Sequence, residues 1–266
     1  MSASNRAAAS IAAVFLGVVI AMALLPGWFT AVDPLQTDVS NALAAPTAGH
    51  PFGTDQSGRD VYARVVYGAR ASLGIAALAT ALAWAGGLLI GTGIALLPKR
   101  FASILMRGVD LLLAVPEFLL ALVIVAALGP GLQNVALAIM LSVLPVYIRL
   151  AWARAGTLRV SDQVEASWLI GVRPGLVVAR HIAPGVTGTL SVLAVIGMGT
   201  SILSAAGLSF LGLGLTEPEP EWGLILAGGR NVLAQAWWIA AFPGLAITLT
   251  VIATSVIGRA LRRPST

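Results

Sequence analysis

The chain has 266 residues, 58% hydrophobic and only 10% charged, with a mean hydropathy of +0.92; water-soluble domains carry about 45–50% apolar and about 25% charged residues, so a soluble globular domain is excluded and the bilayer is the solvent. The formal net charge of +5 and the pI of 10.7 would suggest nucleic-acid binding in a soluble protein, but the basic residues sit in short loops between apolar runs and form no stripe, so no nucleic-acid partner is expected. Cysteine is absent, which removes disulfides, thiolate nucleophiles and Cys-based metal sites.

Crossing the hydrocarbon core as helix takes about 20 mostly apolar residues, and six runs meet or nearly meet that length. The first, Ala7 to Leu25, is longer than the apolar core of a cleaved leader, about 7 to 15 residues. The small triplet Ala42-Leu43-Ala44 lies far past its end, so an uncleaved span is expected over a signal peptide. A hydrophilic loop from Pro26 to Arg70 follows. Near its end Asp60 and Arg64 stand four apart in the favourable order for a surface helix pair; a short interfacial helix, or contact with a ligand or docking protein, would use them.

The second run, Ala71 to Leu97, contains Gly87 and Gly91 in a G-x-x-x-G spacing that favours close helix packing. The third, Leu111 to Leu128, carries Glu117 directly after Pro116. A carboxylate at mid-membrane costs about 2.5–3.5 kcal/mol on insertion scales, so Glu117 either lines a pathway or gate, or snorkels and pairs with a neighbour such as Arg107. The fourth run is Val135 to Trp152. An inner segment from Ala153 to Pro184 separates it from the fifth, Val186 to Leu215, which is long enough to tilt or to include a re-entrant turn. Glu217, Glu219 and Glu221 then alternate with prolines, as a stiff solvated turn or a docking surface, before the sixth run, Ala236 to Ile257.

Lys and Arg collect on the cytoplasmic side of short loops. With a cytoplasmic amino terminus the inside holds Arg6, Lys99, Arg100, Arg107, Arg149, Arg154, Arg159, Arg173, Arg180, Arg259, Arg262 and Arg263, and the outside only Arg59, Arg64, Arg70 and Arg230. That is 12 of the 16 inside, so both termini are expected in the cytoplasm. The expected organisation is a first span with an extracytoplasmic loop over 1–70, a membrane core over 71–258 with an inner loop at 153–184, and a tail over 259–266.

The inner loop reads as a helix-turn-helix. Asp162 can cap a short helix with Glu165 reaching back as in a capping box, Gly171 suits its carboxyl end, and Pro174 suits the first turn of a second helix. Val164, Trp168 and Leu169 offer an apolar contact surface. Transport chemistry needs an energy source, and the phosphate-cradling loop G-x-x-x-x-G-K-[ST] needs a Lys. The only Lys is Lys99, between Pro98 and Arg100, so this chain cannot supply a nucleotide site. His50 and His181 fall in loops on opposite sides and cannot share a metal, and no Ser sits in a G-x-S-x-G turn. No catalytic, metal or cofactor site is expected.

Glu165-Ala166-Ser167, then Gly171, then His181-Ile182-Ala183-Pro184 resembles the E-A-A, G, I-x-L-P signature of binding-protein-dependent ABC importer permeases. His50 through Asp55, Gly58 through Val61, Gly68-Ala69-Arg70, Val109-Asp110-Leu111 with Pro116, Leu208 through Gly214, Pro220 through Gly223, Trp237-Trp238 and Phe242-Pro243-Gly244 are similar to the C-type subunit of the dipeptide, oligopeptide and nickel permeases. The chain departs from the pattern at Ser167, at Ala183 and Gly185 around Pro184, and in a tail without acidic residues.

The resemblance implies an all-α membrane bundle of six helices in the plasma (inner) membrane, paired with a second, homologous permease. It implies two ATPase subunits docked on a coupling helix that includes Asp162, Val164, Glu165, Ala166, Ser167, Trp168, Gly171 and Pro184. It also implies an extracytoplasmic binding protein, for which Asp60, Arg64, Glu217, Glu219 and Glu221 are candidate contacts, and dipeptide, oligopeptide or nickel-complex cargo. A gradient-driven carrier would instead need an ion relay in the membrane, for which only Glu117 is available.

Overall fold

The computed structural model describes residues 3–261; Arg262, Arg263 and the rest of the tail after Leu261 lie outside the described residues. Within them the chain is helical, with one isolated β-bridge between Thr54 and Asp60. The helices are α1 (Ala3–Leu24), α2 (Val61–Leu96), α3 (Lys99–Leu113), α4 (Glu117–Leu128), α5 (Leu132–Arg159), α6 (Asp162–Leu169), α7 (Pro174–Val177), α8 (Ala183–Phe210), α9 (Trp222–Gly229) and α10 (Trp238–Leu261). A π-helical turn, Val178–Ile182, joins α7 to α8, so a single rod of 37 residues runs from Pro174 to Phe210. Pro184 accounts for the turn: it has no N–H to return to the preceding turn, and the ladder opens just before it.

Five helical stretches are long and apolar enough to cross a membrane, and a bent pair, α3 and α4, meeting at 89°, makes a sixth if the two count as one span. The third apolar run is therefore not one straight span. Leu111 to Leu113 belong to α3, the chain turns through Ala114–Pro116, and α4 starts at Glu117. Pro116 enforces the break, since it cannot donate to Leu112 and drives Val115 out of the helical region. At about 1.5 Å per residue, the 12 residues of α4 reach about 18 Å, short of the roughly 30 Å hydrocarbon core.

Sheer apolar content does not hold the bundle together, because lipid tails are as apolar as leucine; close backbone approach does. Gly87 and Gly91 face α5 so tightly that a Cβ on them would lie 2.4 Å from the Tyr147 Cβ and 2.5 Å from the Ile148 carbonyl oxygen. Around this contact α2, α5 and α8 share a core of small and branched residues, including Ile75, Ala79, Ala83, Ile139, Ala151, Leu190 and Leu208. The first helix is peripheral, touching the rest through Val19 and Ala23 while Ile11, Val14 and Leu24 stay exposed.

Candidate functional site

The residues singled out in the sequence fall in three places: the α6–α7 hairpin, the outer loops, and a cavity inside the bundle. In the hairpin, Ser161 takes the N-cap position and Asp162 is the first helical residue, with no side-chain bond to the helix start. The expected capping box is absent because the Ser161 hydroxyl donates backward, to the Leu158 carbonyl at 2.7 Å. The carboxyl end follows expectation more closely. Gly171 has φ +73°, its N–H bonds Trp168 O, and the Val172 N–H bonds Ser167 O, a complete Schellman closure that a left-handed glycine permits.

The contact face keeps the expected Trp168 and Leu169 but not Val164. Val164 is buried in the chain's own core, and the Ser167 hydroxyl, turned inward, donates to Gln163 O at 2.7 Å. Trp168, Leu169 and Ile170 are exposed, the last two by 83% and 80%, and Glu165 and Ala166 lie beside them on the surface. Val164 and Ser167 therefore seat the helix, and the others present it. Pro184 is exposed on the rod that leaves the hairpin.

On the opposite end, Arg59 ties the first outer loop to the last. Its Nε donates to Asp55 Oδ2 and its Nη1 to Glu217 Oε2, each at 2.6 Å. Burial pushes the Arg59 guanidinium down, but Glu217 and Asp55 together outweigh it and hold its pKa above the ordinary arginine value. Asp60 and Arg64 do not form the expected surface pair, because both are buried where α2 begins. Asp60 caps α2 through the Ala63 N–H at 2.7 Å and meets His50 Nδ1 at 2.7 Å. Arg64 turns instead to Glu217 at 3.6 Å, Asp55 at 3.7 Å and the Pro218 carbonyl. The apolar run beginning at Ala71 concealed that α2 starts at Val61 with charged groups folded inward.

Glu221 is fully buried and not part of a solvated turn. It caps α9 by accepting from the Gly223 and Leu224 N–H groups at 2.9 Å, and it accepts from the Ser72 hydroxyl at 2.9 Å. Trp222, also buried, donates its indole N–H to Val65 O at 2.8 Å, and a Cβ on Gly223 would lie 2.5 Å from Ala206 Cα. Together these wedge α9 between α2 and α8. Glu217 and Glu219 remain on the surface, the latter lining an open depression of about 910 Å³ with Asp33, Tyr67 and Arg70. Sequence reasoning met Asp55 and Arg59 only as part of a family pattern and passed over Ser72, whose roles show once the loops close on one another.

Within the bundle, Glu117 begins α4 and lines a cavity of about 180 Å³ with Tyr147, Gly197 and Thr200. The helix amino terminus favours its negative charge. No ion pair joins it to Arg107 among the described residues, and the buried Tyr147 hydroxyl has no hydrogen-bond partner there. Tyr147, unnoticed in an apolar run, is the polar neighbour that Glu117 lacked in the sequence.

The family model described as "Binding-protein-dependent transport system inner membrane component" matches residues 87–263. A chain of Brucella suis biovar 1 (strain 1330), whose name assigns it to a peptide transport system as a permease protein, is 40% identical over 97% of this chain and 87% of its own length. The dipeptide transport system permease protein DppC of Alkalihalophilus pseudofirmus is 38% identical over 91% of this chain and 80% of its own. The glutathione transport system permease protein GsiD of Escherichia coli O6:K15:H31 is 37% identical over 94% and 83%.

Proposed function

Because this chain belongs to the family of binding-protein-dependent transport system inner membrane components, we propose that it is the permease half-channel of an ATP-driven importer for dipeptides or short oligopeptides. The chain has no loop to cradle nucleotide phosphates, so two ATPase subunits supply the power. They grip the face of α6 made by Glu165, Ala166, Trp168, Leu169 and Ile170, with Gly171 and Pro184 fixing how that face meets the long rod. The carrying observation is this exposed apolar face on a helix whose other side, Val164 and Ser167, is anchored in the bundle.

A second, homologous permease closes the pathway. Both termini and α6 lie in the cytoplasm, as the charge asymmetry of the loops favours. An extracytoplasmic binding protein delivers peptide to the outer end, where Glu217 and Glu219 are available as contacts. Asp60, Arg64 and Glu221 support that surface from beneath. Glu117, with Tyr147, lines the route inward past the Pro116 bend. Names of relatives that carry dipeptide and glutathione support a peptide cargo.

The test is uptake of labelled dipeptide into vesicles holding the reconstituted complex. Uptake should require ATP hydrolysis and ignore ionophores that collapse ion gradients, and Glu165→Ala together with Leu169→Asp should abolish it while the permeases still assemble. Uptake driven by a gradient without ATP would refute the reading.

A further inference from the structure

On the face that carries α6, a groove of about 1080 Å³ runs between α3 and the last turns of α5. Its walls hold four cations, Lys99, Arg107, Arg149 and Arg159, against one carboxylate, Asp110. Arg149 meets Asp110 at 2.6 Å and lies over the Trp152 ring at 5.4 Å, and Arg159 donates to the Ala95 carbonyl at 3.0 Å. Lys99 and Arg107 have no ion-pair partner among the described residues. The groove thus keeps an excess of positive charge that nothing among the described residues neutralises.

The helix beside it has a matching second surface. With about 3.6 residues per turn, α3 puts Lys99, Ser103, Arg107 and Asp110 along one edge, toward the groove. Its Ala102, Met106 and Val109 pack inward with Ile94 and Ile148. The remaining arc, Phe101, Ile104, Leu105 and Leu111, is bare, with Phe101 62%, Ile104 65% and Leu111 73% exposed. The α3 helix also adjoins the ends of two spans, α2 and α5, where headgroups begin. An amphipathic helix with cations along one edge and aromatic and aliphatic groups on the other lies in the membrane interface, and basic pockets at span ends hold anionic headgroups.

We propose that this groove seats an anionic phospholipid, its phosphodiester between Lys99, Arg107 and Arg149 and its acyl chains over Phe101, Ile104 and Leu105. The site uses none of the groups assigned to ATPase docking, and its chemistry is the same whichever leaflet it occupies. An ATPase or the second permease would need a carboxylate-rich surface to fill it, and would leave the bare arc of α3 unexplained. A lipid satisfies both halves at once.

Trp152 in the groove wall provides the readout. The assembled complex is reconstituted in equimolar phosphatidylcholine and phosphatidylglycerol with bromine on the chains of one or the other, and the Trp152 signal is taken as the difference from Trp152→Phe. Brominated phosphatidylglycerol should quench it more than brominated phosphatidylcholine. The preference should fall about fivefold in Lys99→Gln and about 30-fold when Arg107→Gln is added, and high salt should erase it in the unmodified protein. Equal quenching by both lipids would overturn the proposal. So would loss of the preference on adding inorganic phosphate at constant ionic strength, which marks a site for the free ion, or absence of quenching in the complex with its appearance in the isolated chain, which marks a protein-covered face. Variants at Glu165 that detach the ATPase should leave the preference intact, so failure of the coupling assignment and failure of the lipid site are separable.

Discussion

The capping carboxylate of α9 illustrates how a residue's surroundings decide its role. Glu221 accepts from two backbone N–H groups and one hydroxyl while completely enclosed, and each buried donor left unmatched costs about 1–3 kcal/mol. Glu221→Ala should therefore lower stability in detergent by about 3 kcal/mol, read as a fall in the unfolding midpoint. Glu221→Gln, which keeps an acceptor oxygen, should lose about half as much. Two glycines of the same helix make a sharper contrast. A methyl on Gly223 would run into the Ala206 backbone at 2.5 Å, whereas one on Gly228 would meet only the Gln56 side chain at 4.0 Å. Gly223→Ala should cost about 1–3 kcal/mol as overpacking, and Gly228→Ala should be neutral or slightly stabilising, since alanine is the better helix former; thermal unfolding of the pair reads the difference. None of this was legible from Glu-Pro alternation, which reads as solvated because Ser72, the partner that helps enclose the carboxylate, lies 149 residues away.

At the level of elements, the spacing of apolar residues and of glycine and proline located the hairpin, its Gly171 stop and its Pro174 start. It misplaced Val164, which is buried while Trp168 and Leu169 of the same expected face are exposed, because Val164 and Leu169 are equally apolar and only packing separates them. Leu169 is 83% exposed, so Leu169→Asp should leave the chain's own unfolding unchanged while weakening ATPase association by about 1.5–3 kcal/mol, the worth of burying a leucine; pull-down against salt-washed membranes measures both. The α3–α4 corner is a second case. Pro116→Ala restores the missing donor and removes the clash, so the 89° bend should open, and a spin-label pair at Ile104 and Ile124 should report a longer separation. In the sequence Pro116 was visible but the bend was not, because an unbroken apolar run scores as one span whatever its path.

For the molecule as a whole, the long apolar runs pointed to the bilayer and to an all-helical bundle of five or six spans, which depend on totals and not on contacts. The outer loops could not be read this way: Arg59 reaching Glu217 joins segments 158 residues apart. The cysteine-free chain makes topology directly testable. In Arg6→Cys and Leu261→Cys, a membrane-impermeant maleimide should label inverted vesicles only, and in Thr37→Cys it should label intact cells, which places both ends together and the first loop across from them. The continuous rod from Pro174 to Phe210 has a mechanical corollary. At about 1.5 Å per residue it is about 55 Å long, and its only departure from regular winding is the π turn at Val178–Ile182. Under the docking proposed at α6, a tilt imposed at that tip would be carried as leverage to the far tip, against which α9 is wedged, with the loosened turn at Val178–Ile182 as the fulcrum.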